Sequence, residues 1–108
     1  MSAHTGRKEL SENVKGRIKG IVKDVVNTEE NKKLVSKLKT QDNSESLQRI
    51  IEIISSKALS DFQKSDQINF RQDGFINIEK ETVERETLLE YTKRIIEKEV
   101  REFIKNEQ

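Results

Sequence analysis

Apolar residues recur three and four positions apart along most of this chain, and they alternate in only one short stretch. From about Lys8 to Val26 they fall at Leu10, Val14, Ile18, Ile21, Val22, Val25 and Val26, one face of a helix. Lys15, Lys19 and Lys23 lie together on the other side, beside Gly16 and Gly20. Thr28 followed by Glu29 and Glu30 has the form of an N-cap with acids in the first turn, where the helix dipole favours negative charge. It predicts a second helix over about residues 29–39, carrying Leu34, Val35 and Leu38. After the polar run TQDNSES, a third helix is expected over about 45–64. Its stripe is Leu47, Ile50, Ile51, Ile54, Ala58 and Phe62, with Ile53 pointing away from it.

The last predicted helix, about 80–105, is the longest. Leu88, Leu89, Tyr91, Ile95, Ile96, Val100, Phe103 and Ile104 cover more than half of its circumference, well beyond a single apolar stripe. Such a helix needs two neighbours, and the reading assigns one to the domain and the other to a second chain. Glu99 falls inside the apolar face, where a carboxylate must be paired, reach an edge or mark an interface. On this reading Ile96→Asp or Phe103→Asp dissociates a complex and leaves the monomer folded.

The alternating stretch is INFRQDGFINI, residues 68–78. A two-residue loop at Asp73-Gly74 would mix apolar and polar side chains on both faces. A three-residue loop, Gln72-Asp73-Gly74, pairs Phe70 with Ile76, Asn69 with Asn77 and Ile68 with Ile78. It gathers Ile68, Phe70, Ile76 and Ile78 on one face and places glycine where a left-handed residue is required. A hairpin over 67–79 is therefore expected, its apolar face on the helices. Phe75 is left on the polar face opposite Arg71.

The fold class that follows is mainly α with one β-hairpin: helices at about 8–26, 29–39, 45–64 and 80–105, and the hairpin between the third and the fourth. Residues 1–7 read as a flexible tail and 8–108 as one domain, in keeping with a length of 108 residues. Only 31% of residues are hydrophobic and 38% are charged, so the placement of the apolar residues, more than their number, argues for a packed core. Net charge is +1, yet residues 1–40 hold ten Lys/Arg against five Asp/Glu. That asymmetry makes Lys15, Lys19 and Lys23 a candidate basic face.

Composition narrows the chemistry. The chain has no cysteine and no proline, and its one histidine, His4, lies in the expected tail. Disulfides, thiolate catalysis and cysteine-ligated zinc are thereby excluded. No HExxH, phosphate-binding loop or dinucleotide fingerprint is present. Acidic clusters such as Glu79-Lys80-Glu81 alternate in sign and read as solvated helix surface. The expectation is a non-enzyme without metal or cofactor, soluble and intracellular, in the cytoplasm or the nucleus.

Two functions fit. The first is a protein–protein interaction or assembly module that self-associates or docks through its last helix, with Leu89, Ile96, Glu99, Val100, Phe103, Arg71 and Phe75 as interface. The second is a winged-helix-like DNA-binding regulator, with helix three as recognition helix and residues 67–79 as wing. The exposed start of helix three, with Glu45, Gln48, Arg49 and Glu52, is poor in positive charge for a groove-facing surface, so the interaction module is preferred.

Overall fold

The computed structural model describes residues 10–39 and 44–106. The expected tail, His4 and residues 40–43, the first four of the TQDNSES connection, lie outside the described residues. The order of elements is α1 (Glu12–Val26), α2 (Glu29–Ser36), a 3-10 turn (Lys37–Lys39), α3 (Ser44–Lys64), β1 (Ile68–Phe70), β2 (Phe75–Ile78), β3 (Glu81–Glu84) and α4 (Arg85–Asn106). The chain is mainly helical, with a small antiparallel meander between α3 and α4.

Helix boundaries follow local chemistry. Ser11 is extended and its hydroxyl accepts from the Val14 N–H at 3.3 Å, so α1 starts at Glu12 and not near Lys8. Thr28 caps α2 as expected, accepting from the Asn31 N–H. Asn31 is itself buried. Its side-chain amide donates to the Val25 carbonyl at 2.7 Å and accepts from the Lys57 ammonium at 3.2 Å. Both ends of a buried polar group are thus satisfied, and the α1–α2 corner is tied to α3. An added methyl at Gly16 or Gly20 would meet no atom within 4 Å, so within the chain neither glycine serves a close backbone approach.

The hairpin has the three-residue loop. Ile68 faces Ile78, Asn69 faces Asn77 and Phe70 faces Ile76, and Gly74 takes a φ of +88°. The Arg71 N–H closes the loop on the Phe75 carbonyl at 3.0 Å.

The third strand was not expected. Residues 80–84 were read as the first turn of the last helix, whereas the helix starts at Arg85 and β3 pairs with β2: Ile78 with Glu81, Ile76 with Val83, Phe75 with Glu84. The connection is the two-residue turn Glu79-Lys80, with φ of 51° and 66°. Two left-handed residues are what a tight hairpin turn needs, but glycine or asparagine usually signals it, and neither is present. Lys80→Gly removes the Cβ strain at one of the two and is expected to raise stability by about 1 kcal/mol, measurable in urea unfolding; an unchanged or lower midpoint contradicts it. Arg17 holds the turn onto α1 through Glu79 at 2.6 Å, and the Ser11 hydroxyl donates to Glu81.

The core runs through every element. Val14, Ile18 and Val22 from α1, Val35 from α2, Ile54 and Phe62 from α3, Ile76, Ile78 and Val83 from the sheet, and Leu88, Ile96 and Val100 from α4 are all fully buried. The inner sheet face is the expected apolar set extended by Val83. Helix α4 packs against α1, α3, α2 and β3.

Candidate functional site: the cleft between α3 and α4

That packing decides the fate of the wide apolar face. Both neighbours that α4 needs come from its own chain. Ile96 and Val100 have no exposed surface and belong to the monomer core. Their assignment to a partner interface is therefore corrected: a partner could reach them only by unfolding the domain. Phe103 is half-buried, packed against the same core. Glu99 is half-exposed and reaches the edge of the face. Leu89, which is half-buried, opens onto a surface concavity.

That concavity is a cleft of about 360 Å³. Glu52, Ser55 and Leu59 form its α3 wall, and Leu89, Thr92 and Lys93 form its α4 wall. Leu59 and Leu89 are half-buried, and Glu52 and Lys93 are exposed. Neither charge has an ion pair or side-chain hydrogen bond among the described residues. Thr92 is buried and donates to the Leu88 carbonyl one turn back at 2.7 Å, so it satisfies itself. The Ser55 hydroxyl oxygen is buried without a hydrogen-bond partner among the described residues. Sequence periodicity marks Leu89 but gives no sign of the cleft, because Leu59 falls one position past Ala58, outside the stripe named for α3, and the facing of two helices is not written in either one.

On the outer face of the sheet, Arg71 lies over the Phe75 ring with 5.8 Å between the guanidinium carbon and the ring centroid, and it also pairs with Asp73 at 2.5 Å. Phe75 is half-buried, so it neither packs away nor stands free. Arg85 lies similarly over Phe70, at 5.6 Å. Each contact joins the hairpin to itself or to the start of α4, a modest stabilisation at an exposed site. Thr82 donates to Asn77 at 2.9 Å and completes a polar outer row.

Lys15, Lys19 and Lys23 occupy one side of α1, and none of them has an ion pair or side-chain hydrogen bond among the described residues. Tyr91 of α4 lies close enough to Lys15 and Lys98 to feel both charges. Partial burial holds its phenol above the usual range, Lys15 and Lys98 pull it back, and Glu12 adds to the rise. On α2, the hydrogen bond and charge of Lys57 hold Glu30 below the usual carboxylate range. Its lowered value makes a stabilising contribution that is present above the unfolded pKa and lost as pH falls through the folded one; at an exposed pair it is small.

Among the described residues, no group of three His, Asp or Glu is placed to hold a metal ion, and no helix is long and apolar enough to cross a membrane. Comparison with protein-family models, curated proteins and solved structures finds no match to this chain.

Proposed function

We propose that the protein is a non-catalytic interaction module that docks to another protein, or to a second copy of itself, along the side of α4 that faces α3. The supporting observation is the cleft itself. The apolar face of α4 is otherwise taken up by its own chain, and at the cleft Leu89 and Leu59 stay half-exposed between two unpaired charges. An apolar centre with a charged rim has the anatomy of a small docking surface. Leu89→Asp tests the reading, since it places a charge at the cleft and leaves the core intact. Baits of the wild type and of Leu89→Asp are compared in capture from native extract. A partner, or a second copy, held by the wild type and lost from a folded Leu89→Asp protein supports the proposal; identical captures end it.

The row Lys15, Lys19 and Lys23 favours a second reading, binding to a nucleic-acid backbone. That reading moves the contact from α3, whose exposed side carries Glu45 and Glu52, to α1. It requires a mobility shift with duplex DNA at low salt that weakens steeply as salt is added.

A further inference from the structure

We propose that α1 and α4 together form a binding face for the phosphate backbone of duplex nucleic acid, taken without regard to base sequence; this rests on the second reading above, to whose lysine row it adds Arg94 and Lys98 of α4.

The order of elements sets the two helices side by side. The Ser11 hydroxyl, at the start of α1, donates to Glu81 of β3, and β3 runs directly into α4 at Arg85. Both helices therefore begin at the sheet and leave it in the same direction, packed against each other. Lys15, Lys19 and Lys23 recur four apart on α1, and Arg94 and Lys98 recur four apart on α4, so each set forms a row along one side of its helix. The Tyr91 phenol joins the rows. It is half-buried, and it lies close enough to Lys15 of one helix and Lys98 of the other to feel both charges. The rows thus flank one seam, on the side of α4 away from Leu89 and the cleft.

Lys15 is half-exposed, and Lys19, Lys23, Arg94 and Lys98 are exposed. None of them has an ion pair or side-chain hydrogen bond among the described residues. The acids nearest to them along the two rows, Glu12, Glu90 and Glu102, lie toward the ends of the face. Residues four apart are separated by about 6 Å along a helix, and packed helices by about 8–10 Å. Duplex DNA carries a charge about every 1.7 Å of its axis, so such an array finds a phosphate for each cation in any register.

The form of the nucleic acid follows from what the face lacks. Neither row carries an asparagine or glutamine to read a base edge. Tyr91 is held in the seam and is not presented as the stacking platform that a single strand needs. Among the described residues the exposed large apolar side chain is Ile53 of α3, so this face offers none to insert into lipid. Duplex backbone is favoured over single strand, over a chosen sequence and over an anionic membrane.

The test is fluorescence anisotropy of the full chain with labelled duplexes of two unrelated sequences, and with a single strand of the same length, between about 20 and 200 mM salt. Circular dichroism shows that each variant stays folded. The wild type is expected to bind both duplexes alike, with a dissociation constant on the order of ten micromolar at low salt. The logarithm of its affinity is expected to fall with that of salt at a slope of about 4.5, or 0.9 for each of five contacts, against about 2.7 for the α1 row alone. The double variant R94Q/K98Q is expected to lower the slope by about 1.8 and to weaken binding at low salt about tenfold or more. Arg49→Gln, on the exposed side of α3, should change neither.

Binding that is lost in K19Q/K23Q but has the same strength and slope in R94Q/K98Q overturns the two-helix face and leaves the α1 reading in place. No binding to either duplex at low salt ends both. Tighter binding to the single strand, to one duplex alone, or to vesicles of about one-quarter phosphatidylserine overturns the assignment of the ligand.

Discussion

Replacing Ile96 with aspartate is expected to abolish the cooperative thermal transition, not to release an intact monomer. Ile96 has no exposed surface and sits where α4 meets the rest of the core. The substitution removes a buried aliphatic side chain, worth about 2–5 kcal/mol when truncated. It also places a carboxylate in an apolar site with no partner, a penalty of several kcal/mol more. A domain of this size has roughly 5–15 kcal/mol of total stability, so the two terms together exhaust much or all of it. Far-ultraviolet circular dichroism against temperature reads the outcome. A sharp transition within a few degrees of wild type would show that Ile96 faces outward after all. Leu89→Asp, two turns earlier on the same face of α4 but half-exposed, is expected to keep its transition, and the contrast between the two separates core from docking surface.

Phe62→Ala is expected to cost about 3–5 kcal/mol. Phe62 is the largest of the fully buried side chains, and it lies near the end of α3, where the helix approaches β1. Its removal leaves a cavity in the core at that end of α3. For a domain near this size each kcal/mol moves the midpoint by several degrees, so a fall of tens of degrees in Tm is expected, visible by calorimetry. A loss below about 1 kcal/mol would mean that Phe62 is not enclosed by the core as its full burial requires.

Much of the fold was legible because each feature rested on a short-range signal. Thr28 with Glu29 and Glu30 marked the start of α2, and the cap formed where those residues placed it. The hairpin register followed from one requirement, that Ile68, Phe70, Ile76 and Ile78 share a face, together with Gly74 at the left-handed position. The miss at β3 has an equally local cause. Residues 80–87 contain one large apolar side chain, Val83, and a single residue carries no period. The turn that redirects the chain uses Glu79 and Lys80 in place of glycine or asparagine. The adjacent β-branched pair Thr82-Val83 was the available hint, and the uninterrupted charge of the surrounding sequence obscured it.

The candidate site was less legible than the fold. Leu89 was named as a surface residue of α4, but so were Ile96 and Val100, which are core. On a wheel drawn for α4 alone the three are equivalent, because periodicity measures how much of a helix is apolar and not what covers it. The excess of apolar circumference was real. What it signified was a helix enclosed by α1, α2, α3 and β3 of the same chain.

By itself, then, the sequence determined four helices, a hairpin with its register and loop, and an apolar set large enough to close a core. These depend on side-chain period and on backbone preferences within a few residues. Only the tertiary structure decided that a third strand follows the Glu79-Lys80 turn, that the last helix is surrounded by its own chain, and that Glu52, Leu59, Leu89 and Lys93 come together at one cleft. Those outcomes depend on which faces meet across segments distant in the chain. No local pattern encodes that choice, which is settled by burying every apolar face at once.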